Sequence, residues 1–170
     1  MRITNFLLTM SAIARLTAAQ DSITDAGAGW APEFKMAGRQ IITLAEAIPA
    51  EKYGWRPGPG VRSVSEVLMH TASGNYFFLQ SMGVKAGEDL PKDPEKSVTV
   101  KADVVRWCKV SFEPVEENYP KIDKQKAVKF LGHDSTCEGV LLRVLAHANE
   151  HLGQMIAYAR VNGVAPPWSK

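Results

Sequence analysis

Apolar residues recur every three or four positions in four separate stretches of this chain, and this pattern constrains the fold more than any other feature. Such spacing is typical of helices that bury one side. The predicted helices span residues 32–48, 64–82, 101–119 and 136–162. Ser63 with Glu66, and Ser135 with Glu138, have the spacing of capping boxes, which predicts the starts of the second and fourth helices.

Strand patterns are almost absent from the sequence. Residues 127–131 could form a short extended piece, and residues 83–99 form a long connection with two glycines and two prolines. A connection of this length suits a crossover over the end of a bundle better than a tight hairpin. The sequence therefore predicts an all-α fold, an antiparallel four-helix bundle with one long crossover connection.

The domain organisation follows from the length of 170 residues, of which 45% are hydrophobic, enough for one domain with a core. We predict an N-terminal segment with a linker at residues 1–29 and a bundle domain at residues 30–170. Residues 1–19 have a basic start, an apolar run and small residues, as in a signal peptide. Their amphipathic spacing also fits an ordinary helix, which we favour. A cytoplasmic location is then expected, and a periplasmic one if residues 1–19 are a signal peptide.

Charge and cysteine content exclude several classes of protein. The formal charge is +2 without long runs of like charge, so we do not expect nucleic acid as a partner. No run of about 20 apolar residues exists, so we expect no membrane span. Cys108 and Cys137 are too few for a cysteine-rich zinc module. We expect both to be small buried apolar residues, although a disulfide between them is possible if the chain is exported.

Three histidines lie on the predicted inward sides of two helices. His147 and His151 are one helical turn apart and share their side with Val144 and Met155, and His70 lies on the inward side of the second helix. The nitrogens of a buried imidazole need hydrogen-bond partners or a metal, and three neighbouring imidazoles can meet this need by binding one cation. Imidazole favours zinc, nickel, copper or iron, and three protein ligands leave a position open. The sequence predicts a divalent transition metal at His70, His147 and His151.

Other interpretations of these histidines stand beside the metal site. Helical histidines are often hydrogen-bonded core or surface residues, and His133 is most simply a solvated loop residue. Glu150 completes a His-x-x-Glu-His motif of the inverzincin metalloproteases, but no acidic residue follows His151 to supply the further ligand. We expect Glu150 to form an outer hydrogen bond or a salt bridge to a neighbouring helix.

Two segments carry a resemblance to a known family: WRPGPGVRSVSEVLMH at residues 55–70 and HANEHLGQMIAYARVNG at residues 147–163, followed by Pro166 and Pro167. They resemble the DinB/YfiT-like superfamily of metalloenzymes, over about Pro32 to Trp168. The resemblance implies a four-helix bundle, frequent homodimers, and zinc or nickel held at the positions of His70, His147 and His151. Relatives include transferases of low-molecular-weight thiols, a thiol-dependent maleylpyruvate isomerase and members without known activity.

Three classes of function compete at this point. The favoured one is a metal-dependent enzyme acting on a small molecule, with a low-molecular-weight thiol as the nucleophile on the strength of the resemblance alone. Water as the nucleophile would give a hydrolase. The second class is a stress-response or binding module with a structural metal, and the third is a metal-free helical interaction protein. An enzyme needs an open metal position, whereas a structural metal has a fourth protein ligand.

Overall fold

A computed structural model describes residues 26–85 and 89–169, which are mostly helical. The helices are α1 (Trp30–Ala47), α2 (Val64–Ser81), α3 (Pro94–Ser97), α4 (Lys101–Asn118) and α5 (Cys137–Val161). The four long ones agree with the predicted bounds to within two residues, because each prediction rests on a local apolar period. Residues 1–19, with their choice between a helix and a signal peptide, lie outside the described residues.

A two-stranded antiparallel sheet between α4 and α5 corrects the all-α prediction. β1 (Ala127–Phe130) is the extended piece that the sequence suggested, and it pairs with β2 (His133–Thr136). The partner strand was missed because its sequence, HDST, is polar and shows no apolar alternation. Leu131 and Gly132 form the turn with φ angles of 49° and 83°, the positive values that a two-residue hairpin turn requires.

Capping side chains determine where α2 and α5 begin. Ser63 and Glu66 form the predicted capping box: the Ser63 hydroxyl accepts a bond from the Glu66 amide, and the Glu66 carboxylate accepts one from the Ser63 amide. At α5 the predicted cap is wrong by one residue, since Thr136 accepts the bond from the Gly139 amide over 3.2 Å. Ser135 precedes the cap by one residue, and its hydroxyl donates to the Thr136 carbonyl over 3.4 Å.

The core lies between the four long helices. α1 and α2 each contact both α4 and α5. The fully buried apolar side chains include Phe34, Ile41, Leu44, Val67, Leu68, Val104, Phe112, Val140, Val144 and Met155. The packing of α2 on α5 brings together the two helices that carry the three candidate histidines. Within the described ranges, no helix is long and apolar enough to cross a membrane.

Both cysteines are buried, as the sequence predicted, and they are unpaired in the structure. The Cys108 thiol lies 3.8 Å from the Leu68 carbonyl, and burial raises its pKa to about 12. A thiol that stays protonated at neutral pH is a poor nucleophile and a poor metal ligand. Cys108 therefore acts as a small apolar residue of the core.

Candidate metal centre

The three histidines that the sequence singled out lie side by side in the structure. One imidazole nitrogen from each of His70, His147 and His151 lies within 4.8 Å of the other two. The Nε2 atoms of His70 and His147 are 3.3 Å apart. Ligand nitrogens around a tetrahedral zinc ion are about 3.4 Å apart, given zinc–nitrogen bonds of about 2.0–2.1 Å. These three nitrogens could therefore share one ion.

Helix packing explains why the imidazoles meet. His147 and His151 are buried on the side of α5 that faces α2, one turn apart. Gly74 follows His70 by one turn, and a Cβ atom at this position would overlap Cε1 of His147 and lie 3.0 Å from its Nδ1. The absence of a side chain at residue 74 allows His147 to reach His70 across the helix interface.

Glu95 orients the His70 ring and was missed in the sequence. Its Oε1 lies 2.8 Å from Nδ1 of His70, and its Oε2 accepts a bond from the Arg62 guanidinium over 2.7 Å. Burial raises the pKa of Glu95, but the bonds from Arg62 and His70 outweigh burial, and the net shift is downward. The ionised carboxylate holds a proton on Nδ1 of His70, which leaves Nε2 free to donate its lone pair to a metal.

His151 has a partner of a different kind, on its own helix. Its Nδ1 lies 2.9 Å from the side-chain oxygen of Gln154, which can only accept. The Gln154 amide donates to the Tyr158 hydroxyl over 2.9 Å. Nδ1 of His151 therefore carries the proton and Nε2 the lone pair. The three-residue spacing on α5 could have revealed Gln154, whereas nothing in the sequence links Glu95 to His70.

The His147 ring differs from the other two in its hydrogen bonding and in the size of its pKa shift. Its Nδ1 is buried without a hydrogen-bond partner among the described residues. Burial, followed by repulsion from the neighbouring His151 and His70, lowers the pKa of His147 to about 3. Burial also lowers the pKa of His151. Neutral imidazole is the form that binds metals, so the donor set fits a transition ion such as zinc or nickel.

Two other candidates from the sequence lie outside this cluster. His133 is exposed on β2, as expected of a solvated residue. Glu150 forms an ion pair over 2.7 Å with Arg143, which belongs to the same helix, so the expected bridge to a neighbouring helix is wrong. Residues seven apart lie two turns along one side of α5, and the long arginine side chain spans that distance.

A cavity of about 320 Å³ adjoins the histidines. Its lining comprises His70, His147, Phe77, Phe78, Phe130, Leu131, Ser73, Gly74 and Arg143. Phe77 follows His70 by seven residues and so lies on the same side of α2, but 46% of its surface is exposed, and it lies at this cavity rather than in the core. None of the described residues in the lining is acidic.

A second cavity, of about 670 Å³, has a different chemistry. Glu95 and Gln154, the partners of His70 and His151, are part of its lining. Its three cationic side chains are each paired with an acid: Arg56 with Glu66, Arg62 with Glu95 and Lys96 with Asp93. The candidate metal centre is therefore bordered by one apolar and one charged cavity.

Comparisons with known proteins identify a family and a similar fold. Residues 28–170 match the model of the DinB family. The fold is similar to the crystal structure of a DinB-like protein from Bacillus cereus, with a TM-score of 0.69 and 16% sequence identity. That similarity covers 82% of this chain and 95% of the other. No curated protein matches the chain.

Proposed function

Because the chain belongs to the DinB family, we propose that it is a metal-dependent enzyme that transfers a low-molecular-weight thiol to an electrophilic small molecule. His70, His147 and His151 would hold the divalent transition ion, zinc or nickel. The four long helices would form the antiparallel bundle around it. A fourth protein ligand is absent from the cluster as far as the described residues extend, which leaves room for an exogenous one.

The observation that carries this proposal is the position of His70 and His147 in the lining of an apolar cavity, to which the described residues contribute no acid. A divalent cation lowers the pKa of a thiol or water that binds to it. In metalloproteases a carboxylate accepts the proton of the attacking water, whereas a thiol ionises near pH 8.5 even without a metal. Among the described residues, the cavity lining offers no carboxylate for that role, and this favours a thiol over water.

The protein side chains would orient the donors and give the centre an apolar side. Glu95 and Gln154 keep protons on the Nδ1 atoms of His70 and His151, and so fix which nitrogen faces the centre. The phenylalanines of the cavity would form that apolar side. In the reaction, the thiol sulfur bonds to a carbon of the electrophile as the bond between that carbon and its leaving group breaks. The leaving group keeps that electron pair, and the thiol proton passes to solvent.

Activity assays with matched variants test the proposal. Protein loaded with zinc or nickel is screened with glutathione, bacillithiol, mycothiol and water against a panel of electrophiles that includes 1-chloro-2,4-dinitrobenzene. We expect thiol transfer that is lost in His147→Ala and retained in His133→Ala, the exposed histidine. Activity that survives in His147→Ala, or the absence of transfer with every thiol, would contradict the proposal. Turnover with water alone would identify a hydrolase.

A further inference from the structure

We propose that the 320 Å³ cavity is the binding subsite for an uncharged, apolar electrophile, with Leu131 and Phe77 as its specificity-determining residues. The inference rests on the proposed function, since it names the class of molecule that would meet the nucleophile. Four observations support it: the aromatic lining, the exposure of the two side chains, the backbone of Leu131 and the pairing of Arg143.

The lining forms a continuous aromatic surface up to the histidines. The rings of Phe77, Phe78 and Phe130 contact one another, with centroids 5.8–5.9 Å apart. Phe78 also meets the imidazole of His147 edge-on, with centroids 5.2 Å apart. An apolar molecule in this cavity would therefore lie against the phenylalanines and beside the metal-binding nitrogens. The volume is within the range of sites for small molecules.

Two large apolar side chains of this lining are exposed to solvent. Phe77 is 46% exposed and Leu131 is 70% exposed, although most large apolar residues of the described helices are buried. Exposed apolar surface is normal when it is scattered, but these two side chains border the same cavity. An apolar ligand would remove both from water, and this gain would contribute to binding.

The backbone of Leu131 makes its position unusual. Its φ of 49° lies in the left-handed region, which leucine disfavours and which glycine, asparagine and aspartate tolerate. Asp93 is the other non-glycine residue with a positive φ among the described residues, and it belongs to a tolerant type. A polar turn residue would suit the hairpin better. Leucine at this position instead places an apolar side chain at the cavity.

The charge of the lining indicates an uncharged ligand. Apart from the histidines, Arg143 is the charged residue of the lining, and its guanidinium is already bound to Glu150 over 2.7 Å. A ligand carboxylate would have to compete with Glu150 for it.

Binding of a neutral fluorescent probe, N-phenyl-1-naphthylamine, tests the subsite. The titration uses the full chain after treatment with a chelator, so its result does not depend on metal binding or turnover. We expect Leu131→Asn to bind the probe about fivefold more weakly, because part of the apolar contact is lost. Phe77→Ser should act in the same direction. Leu131→Asn should melt at an equal or higher temperature, since asparagine tolerates the left-handed turn, so weaker binding cannot be ascribed to unfolding.

The matched control is Leu142→Asn, which replaces a leucine that is 64% exposed on α5 and lies outside the cavity lining. It should leave probe binding unchanged. Unchanged binding in both Leu131→Asn and Phe77→Ser would overturn the proposal. So would tighter binding of the anionic probe 8-anilino-1-naphthalenesulfonate that is lost in Arg143→Gln. A dimer that becomes a monomer in Leu131→Asn would assign the patch to a subunit interface and also overturn it.

The two proposals fail separately. The first outcome is that Leu131→Asn and Phe77→Ser weaken probe binding but the metal-loaded protein transfers no thiol. This would overturn the proposed function and leave the subsite supported. Thiol transfer at the same rate in wild type and Leu131→Asn, together with unchanged probe binding in that variant, would overturn the subsite and leave the proposed function supported.

Discussion

The hydroxyl of Tyr158 donates a hydrogen bond of 3.1 Å to the backbone carbonyl of Arg62, 96 residues earlier in the chain. Tyr158 accepts a bond from Gln154, the partner of His151, and the Arg62 side chain binds Glu95, the partner of His70. Arg62 thus connects the groups that orient two histidines on two different helices. The loop before α2 thereby contacts the hydrogen-bonding partners of both rings.

Metal content should depend on each of the three histidines. We expect about one equivalent of a divalent transition ion per chain, and a large loss of it when His70, His147 or His151 is replaced by alanine. Elemental analysis of untagged protein measures this content. His133→Ala should retain the metal, and full occupancy in His147→Ala would exclude the site described above.

Glu95 should affect metal affinity without contacting the metal. Glu95→Gln removes the charge that holds the proton on Nδ1 of His70, and we expect affinity to fall about 10- to 100-fold. Competition with a chromophoric chelator measures the affinity. Asp93→Asn is the control, because Asp93 lies two residues away and pairs with the exposed Lys96 rather than with a histidine. Equal affinities in the two variants would contradict the role of Glu95.

Glycine to alanine changes at two helical positions should have opposite effects. Gly74→Ala places a methyl group against His147, so it should lower both metal affinity and stability. Gly153→Ala meets no atom within 4 Å and should stabilise α5 by about 0.5–1 kcal/mol. Urea unfolding and chelator competition on both variants check this contrast. A Gly74→Ala protein that binds metal as well as Gly153→Ala does would argue against the close packing of α2 on His147.

Stability of the metal-free protein should rise with pH between about 3 and 6.5. Burial lowers the pKa of His147 to about 3, whereas an unfolded histidine titrates near 6.5. In this window the unfolded chain binds a proton that the folded chain does not, so the free energy of unfolding increases by up to about 1.4 kcal/mol per pH unit. Burial lowers the pKa of His151 as well and acts in the same direction.

Urea unfolding from pH 4 to 7 in the presence of a chelator measures this dependence. His147→Ala should show a shallower slope than the wild type, because it lacks the group that takes up the proton. Identical slopes would show that His147 is not held in its neutral form by burial.

The Cys108 thiol should react slowly in the folded protein. Its pKa of about 12 keeps it protonated at pH 8, and its burial excludes reagents, so Ellman's reagent should label it only on unfolding. Above about pH 9 the unfolded thiol ionises and the folded one does not, so stability should fall as the pH rises towards 12. Cys108→Ala should lose less stability over this range. Labelling of Cys108 within seconds at pH 8 would contradict its burial.

The sequence by itself determined the features that depend on neighbours three or four residues apart. The apolar period gave the four long helices, Ser63 and Glu66 gave the start of α2, and the spacing of His147 and His151 placed both rings on one side of α5. These features are local, because residues one helical turn apart are adjacent whatever the rest of the chain does.

Only the tertiary structure decided which distant groups meet. Glu95 reaches His70 from a long connection whose path has no period, and Tyr158 meets Arg62 across 96 residues. β2 forms because β1 lies beside it, although its own sequence is polar. Phe77 lies at a cavity rather than in the core, because a helical period identifies one side of a helix and not the element that covers it. These contacts depend on how connections cross the helices, which local spacing does not encode.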